Sequence, residues 1–236
     1  MDQPDEPNQA MTPHLALVRE WSAVPDESLA PERRAARRAA GSLREIIARL
    51  ATSSASVEAL EELADHLAIA AAVLPDGPSE RGGGWEPSSD GIPGELERLV
   101  EQSPIVGRAN AVAPPVRLEV HDDHIVGHVR FSQAYEGPVG KVHGGFIAAV
   151  FDELLGSTQL LSGRGGMTGR LTINFRSPPR LGVDLRLEGR VIGQERRKIF
   201  CEGTMWDGDR LCAEAEGLFV SLDPERYRQL TDAAEG

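Results

Sequence analysis

Six stretches between residues 116 and 222 alternate apolar and polar side chains, and one long apolar stretch interrupts them after the second. VRLEVHD (116–122) and HIVGHVRF (124–131) come first, close enough to form a hairpin. Residues 143–161 follow, apolar at helical spacing and nearly all round. GMTGRLTINFRSP, VDLRLEGRVIG, RKIFCEGTMWD and RLCAEAEGLFVSL complete the order at hairpin spacing. Two strands, one helix and four strands predict an α+β fold, with a strongly curved antiparallel sheet around one buried helix.

The earlier part of the chain has another texture. Residues 1–26 are polar and Pro-containing and read as a flexible N-terminus. From Pro31, a residue suited to a first helical turn, Ala36, Ala39, Ala40, Leu43, Ile46, Ile47 and Leu50 recur at three- and four-residue steps. TSSAS (52–56) breaks the run and offers N-cap hydroxyls. Val57, Leu60, Leu63, Ala64, Leu67, Ala71 and Leu74 then form a second stripe. Residues 27–74 are therefore expected to be a helical hairpin with two apolar faces. Residues 75–95 read as a Gly/Pro/Ser linker, 96–224 as the main domain with a short helix near 94–102, and 225–236 as a tail. Arg33, Arg34, Arg37 and Arg38 make one face of the first helix basic. The acidic second helix argues for an ordinary solvated face there rather than a DNA contact.

The net charge of −12 argues against nucleic acid as the main partner. The imbalance is concentrated early. Residues 1–95 carry 8 basic and 17 acidic groups, and the remainder carries 17 and 20, so a basic patch there could hold a polyanion. The two cysteines, Cys201 and Cys212, fall on either side of a turn at 207–209, out of register for a disulfide. No apolar run is long enough to span a membrane, and MDQPDEPNQA is not a signal peptide. The expected location is cytoplasmic.

The stretch GKVHGGFIAAVFDELLG (140–156) carries the chemistry. A helix N-terminus presents unpaired N–H groups and a positive partial charge, and glycine lets a ligand come close. The Gly144 N–H suits a developing oxyanion; tight packing at a helix start is the plainer reading. Asp152 lies among Ala148, Ala149, Val150, Phe151, Leu154 and Leu155. It reads as a catalytic carboxylate, a surface carboxylate on the one wet stripe, or a partner for an arginine.

VHGGFIAAVFDELLG, MTGRLTINFRSPPRLG, RRKIFCEG and AEAEGLFVSL, in that order, resemble the hotdog-fold acyl-CoA thioesterases of the PaaI-like (4-hydroxybenzoyl-CoA thioesterase) type, including the mammalian thioesterase-superfamily members. The resemblance covers residues 103–224. It implies a hotdog fold, hydrolysis of acyl-CoA thioesters in lipid metabolism, and no metal or organic cofactor. By position it makes Asp152 the nucleophile or general base, Gly144 the N–H donor to the thioester carbonyl, and Thr168 the hydroxyl that orients Asp152 or water. One position departs from the pattern: many members have Asn six residues before the HGG histidine, where this chain has Gly137.

Gly144 and Asp152 are eight residues apart, roughly 12 Å along one helix. One thioester carbon cannot meet both from the same chain. Two helices running antiparallel across a two-fold axis would pair Gly144 of one copy with Asp152 of the other, so a homodimer, or a tetramer built from dimers, is expected. Strict alternation along the next strand puts Thr168, Arg170, Thr172, Asn174 and Arg176 on one face and Leu171, Ile173 and Phe175 on the other. Along that polar face Asn174 is the candidate for the pantetheine arm, with Arg176, Arg197 and Lys198 for the CoA phosphates and Gly145 beside the carbonyl. His143 is expected to fix the helix start, with proton transfer as a second role.

HDDHIVGH (121–128) could mimic a metal site but reads as a turn followed by a strand. SGRGGMTG (162–169) lacks the Lys-Ser/Thr of a P-loop, and no G-x-S-x-G elbow is present. The alternative to an enzyme is a non-catalytic acyl-CoA sensor that uses the N-terminal helices as its output.

Overall fold

The computed structural model describes residues 15–16, 18–19, 26–74, 100–114 and 116–221. The expected linker, most of the N-terminal segment and the tail lie outside those residues. Two helices come first, α1 (Pro31–Leu50) and α2 (Val57–Ala71). The main domain runs β1 (Arg117–Val120), β2 (His124–Val129), α3 (Gly144–Thr158), β3 (Gly166–Phe175), β4 (Leu185–Glu195), β5 (Lys198–Asp207) and β6 (Arg210–Ser221). The strands form one six-stranded antiparallel sheet in the order β1-β2-β4-β5-β6-β3. This is the expected α+β architecture, a sheet wrapped on one long helix. Because α3 crosses the whole sheet, β3 lands on the far edge, beyond β6.

Burial follows the alternation. Leu118, Ile125, Leu187, Ile199, Met205, Ala213 and Phe219 point from the sheet onto Ile147, Val150, Phe151, Leu154 and Leu155 of α3, all at most 2% exposed. Two glycines opposite each other on β4 and β5 let the helix sit close. A Cβ at Gly189 would lie 2.4 Å from Thr158 Oγ1, and one at Gly203 would lie 3.1 Å from Leu155 Cδ2. Cys201 is buried and faces Gly217, while Cys212 falls at the irregularity in the β5–β6 ladder; both are free thiols. Burial pushes the Cys201 thiol up to about 12, which leaves it inert.

Two N-terminal helices form, the second ending at Ala71 rather than at Leu74, and Ser56 Oγ caps α2 by accepting from the Ala59 N–H at 3.3 Å. Their apolar stripes do not behave as expected. In α1 the buried side chains are Arg37 and Ala40, while Leu43, Ile47 and Leu50 stay exposed. α2 buries nothing, and Val57 and Ile69 are about two-thirds exposed at 66% and 67%. What fixes α1 is polar. Arg37 pairs with the fully buried Glu101, and Arg44 donates to the carbonyls of Asn110 (2.7 Å) and Arg108 (3.2 Å).

At the far end of the sheet Asp207 accepts from Arg180 Nε (2.8 Å), Arg180 Nη2 (2.6 Å) and Arg210 Nη2 (2.6 Å), which ties the β3–β4 loop to the β5–β6 turn. The Arg180 hydrogen bonds, with help from Arg210, hold the Asp207 carboxyl well below the usual carboxylate range. A carboxyl lowered in the folded state adds stability above its unfolded value of about 4, and that stability is lost as pH falls through the folded value. Both arginines are about half exposed, so solvent screens much of the attraction. Asp207→Asn is expected to lower Tm by roughly 5 °C at pH 7 and to flatten the fall in Tm below pH 4, as read by thermal melts across pH.

Candidate active site

The α3 N-terminus is built by His143. Its Nδ1 accepts from the Gly145 N–H at 3.0 Å, and its carbonyl accepts from Phe146 (3.0 Å) and Ile147 (3.3 Å). The Gly144 N–H makes no hydrogen bond among the described residues, so it is the free donor of the first turn. The turn itself is held from outside. The His143 N–H donates to the Tyr135 carbonyl at 2.9 Å, and the Tyr135 ring meets Phe146 edge-on at 4.8 Å. Tyr135 Oη in turn donates to the Val112 carbonyl at 3.1 Å.

Gly137 gains a physical reason. Its N–H donates to the Lys141 carbonyl at 2.9 Å, and a Cβ there would lie 2.8 Å from His143 Cα. The loop backbone is pressed against the helix cap, so no side chain fits at this position.

Asp152 lies two turns further on, on the exposed side of α3. The half-buried or exposed positions of that side are small: Gly145, Ala148, Ala149 and Gly156. Of the alternatives open at the sequence level, Asp152 has a definite partner that is not an arginine: Thr168 Oγ1 donates to its Oδ1 at 2.9 Å. Its neighbour Glu153 is half-buried: burial raises its pKa, and its Oε2 accepts from Ser103 Oγ at 3.4 Å. Sequence reading did not single out Glu153; only the helical offset of about 100° per residue separates it from Asp152.

Thr168 reaches Asp152 because strict alternation along β3 fails. Thr168 pairs with Phe219 and Arg170 with Leu218, leaving Gly169 as an extra residue. The bulge turns Thr168 to the helix side, in the same row as the buried Phe219 and on the same face as Leu171, Ile173 and Phe175. The expectation that Thr168 shares a face with Arg170, Thr172, Asn174 and Arg176 is therefore corrected.

Asn174 and Arg176 lie on the outer face, around a shallow cavity of about 260 Å³ shared with Glu188, Arg190, Glu202 and Glu214. Arg176 Nε pairs with Glu214 at 2.5 Å. Arg197 and Lys198 follow the left-handed Arg196 (φ 53°) in the β4–β5 turn, and Arg197 Nε donates to the Ser221 carbonyl at 3.0 Å. Lys198 pairs with Val220, one row from Phe219 and Thr168, and so sits at the Asp152 end of the sheet. The structure thus groups His143, Gly144 and Gly145 at one end of α3 and Asp152 and Thr168 at the other. Lys198 lies at the same end of the sheet as the second group but, alternating with the buried Ile199, turns to the outer face that also carries Asn174 and Arg176.

The run 121–128 is a pairing network. Asp123 accepts from Arg190 Nη1 at 2.7 Å and contacts His124 Nδ1 at 2.6 Å, and both interactions hold its carboxyl down at about 2. Among the described residues no group of three or more His, Cys, Asp or Glu is placed to hold a metal ion. No described helix is long and apolar enough to cross a membrane.

A helix enclosed by a six-stranded antiparallel sheet, with a free N–H at its start and a hydroxyl-bound carboxylate two turns on, defines a hotdog domain. The family model of the thioesterase superfamily matches residues 139–214. A crystal structure of a thioesterase superfamily protein superposes with a TM-score of 0.68 at 30% identity, covering 84% of this chain and 94% of that one. This chain belongs to the thioesterase superfamily. Residues 96–224 make up little more than half of it, so the likeness to that structure reaches into the N-terminal helices. Among curated proteins it is similar to acyl-coenzyme A thioesterase THEM4 of Xenopus laevis, 36% identical over 91 residues, 38% of this chain and 41% of that protein. THEM4 of Bos taurus is 38% identical over 93 residues, covering 39% and 38%. The chain thus matches about two-fifths of the length of these relatives.

Proposed function

We propose that this protein hydrolyses acyl-CoA thioesters to free acid and CoA. The observation that carries the reading is the pair of groups on one face of α3: the unbonded Gly144 N–H at its start and the Asp152 carboxylate held by Thr168 at 2.9 Å. The first is a donor for the oxygen that gains charge as a thioester is attacked. The second attacks the carbonyl itself or takes the proton of the attacking water. The THEM4 relatives, named as acyl-coenzyme A thioesterases, support the substrate class.

The two groups belong to different ends of the same edge. Asp152 is bonded to Thr168 near the start of β3, whereas a Cβ on Gly144 would lie 3.4 Å from the ring of Phe175 at its end. Among the described residues β3 is an edge strand of ten residues with Met167 and Phe175 exposed, an invitation to strand pairing. Antiparallel pairing of two such edges exchanges their ends, carrying Gly144 of one protomer toward Asp152 of its partner. The small side chains on the free side of α3 would let the two helices approach. The active form is a homodimer, alone or within a tetramer, with two identical sites.

The test is CoA release from short-, medium- and long-chain and aryl acyl-CoAs, followed with a thiol reagent. Saturable turnover of any of them supports the proposal, and no release from the panel overturns it. Thr168→Val removes the hydroxyl that orients Asp152 and is expected to lower kcat about tenfold with little change in KM in the same assay. The absence of a side chain at Gly137 favours one second reading, an acyl-CoA sensor, whose signature is binding without release.

A further inference from the structure

The Gly-rich run SGRGGMTG (162–169) is not a P-loop, yet it ends by delivering Thr168 to Asp152. Four of its eight residues are glycine, and the strand it opens has β6 as its neighbour in the sheet and is irregular at Gly169. A glycine-rich edge beside a bulge is soft about its own axis, and strict alternation would turn Thr168 away from the helix. Something must fix which way this segment faces. Gln159 is placed to do so. It caps the C-terminus of α3 at 4% exposure, and its Nε2 donates to the Gly166 carbonyl at 2.7 Å. A Cβ at Gly166 would lie 2.6 Å from the Val220 carbonyl oxygen, so Gly166 is seated between Gln159 and the β6 backbone.

Asp152 and Gln159 are seven residues apart and so share one stripe of α3. The start of β3 runs back along that stripe: Gly166 meets Gln159, and two residues later Thr168 meets Asp152. The amide has one orientation, because a carbonyl accepts from Nε2 and not from Oε1. Its Oε1 is buried and has no hydrogen-bond partner among the described residues. A buried amide with an idle acceptor adds little to stability, so the bond to Gly166 is what this side chain contributes. We propose that Gln159 is a positioning residue for the hydrolysis: it latches the start of β3 to the end of α3 and thereby sets the face on which Thr168 meets Asp152. Gln159 touches no reacting atom and acts through Thr168. The effect on rate rests on the proposed roles of Asp152 and Thr168, whereas the latch itself is a matter of geometry.

Gln159→Met keeps the length of the side chain and removes the idle acceptor, but it cannot donate. It is expected to lower kcat for acyl-CoA about tenfold, as Thr168→Val does, with little change in KM. The double variant Gln159→Met/Thr168→Val separates positioning from packing. Two independent losses would multiply to about a hundredfold, whereas a residue acting through Thr168 leaves the double variant about as slow as Thr168→Val alone. A crystal structure of Gln159→Met is expected to show the Thr168 hydroxyl turned out of hydrogen-bond distance of Asp152. Multiplying losses, a Gln159→Met rate within about twofold of wild type, or a retained Thr168–Asp152 bond would overturn the proposal. Gln159→Leu is the second variant. If thermal melts show that neither variant folds, Gln159 serves the fold rather than the site, and the proposal falls equally. If the wild type releases no CoA, the hydrolysis reading fails by itself, and the crystal structure of the variant still decides the latch.

Discussion

Asp152→Asn is expected to lower acyl-CoA hydrolysis by about 10³-fold or more while leaving the protein folded and its oligomeric state unchanged. The amide is isosteric with the carboxylate, and its oxygen can still accept from Thr168 Oγ1, now 2.9 Å from Asp152 Oδ1. Asp152 is exposed in the single chain and makes no ion pair among the described residues, so removing its charge breaks no salt bridge there. What disappears is the negative charge, and with it both the nucleophile and the base. Single-turnover CoA release separates the two routes: a residual slow rate with no covalent adduct favours the base, and an acyl-enzyme trapped in the wild type favours the nucleophile. Activity above a tenth of wild type in a folded variant would remove Asp152 from the chemistry. The neighbouring Glu153→Gln provides the contrast. That carboxyl turns toward Ser103, and its loss is expected to affect stability more than rate.

Much of this was legible in the sequence because the two periodicities are clean. The strands alternate, α3 does not, and the element order leaves little choice of topology. The site was legible to the extent that it is local: a histidine cap, a free N–H and a carboxylate are all fixed by one helix. What the sequence hid are the places where one residue changes a parity. Gly169 is a single extra residue in β3, and it moves Thr168 to the helix side while Asn174 and Arg176 stay outside. A glycine inside a strand is a known sign of a bulge, so the signal was present, but alternation alone overrode it. The stripe of α1 misled for a different reason. Alanines and leucines at helical spacing suggested a buried apolar face, yet the helix is held by Arg37 on Glu101 and by Arg44 on two carbonyls. Those partners lie more than 60 residues away, and no local pattern announces them.

The shared site makes a stronger claim than any single substitution, and it can be tested by mixing two inactive proteins. Gly144→Pro deletes the one unbonded N–H of the first turn. Proline is well tolerated at that first helical position, where its missing donor costs the helix nothing. Loss of one such donor is expected to cost about 10²–10³ in kcat. Because a Cβ at Gly144 would lie 3.4 Å from the Phe175 ring, Gly144→Ala serves as the control for crowding: it keeps the N–H and is expected to stay active. Homodimers of Gly144→Pro and of Asp152→Asn are then both nearly dead. In a hybrid, one site receives both damaged groups and the other receives the intact glycine of one chain and the intact aspartate of its partner. Random exchange makes half the dimers hybrid, each with one working site, so activity is expected to recover to about a quarter of wild type. Two tags and sequential purification isolate the hybrid, which should then show about half the wild-type rate per dimer. A hybrid that stays as inactive as its parents would mean that Gly144 and Asp152 act within one chain or do not act together. The separation of roughly 12 Å along α3 excludes the first of these for a single thioester carbon, so that outcome would leave Gly144 as a packing residue and move the oxyanion donor elsewhere.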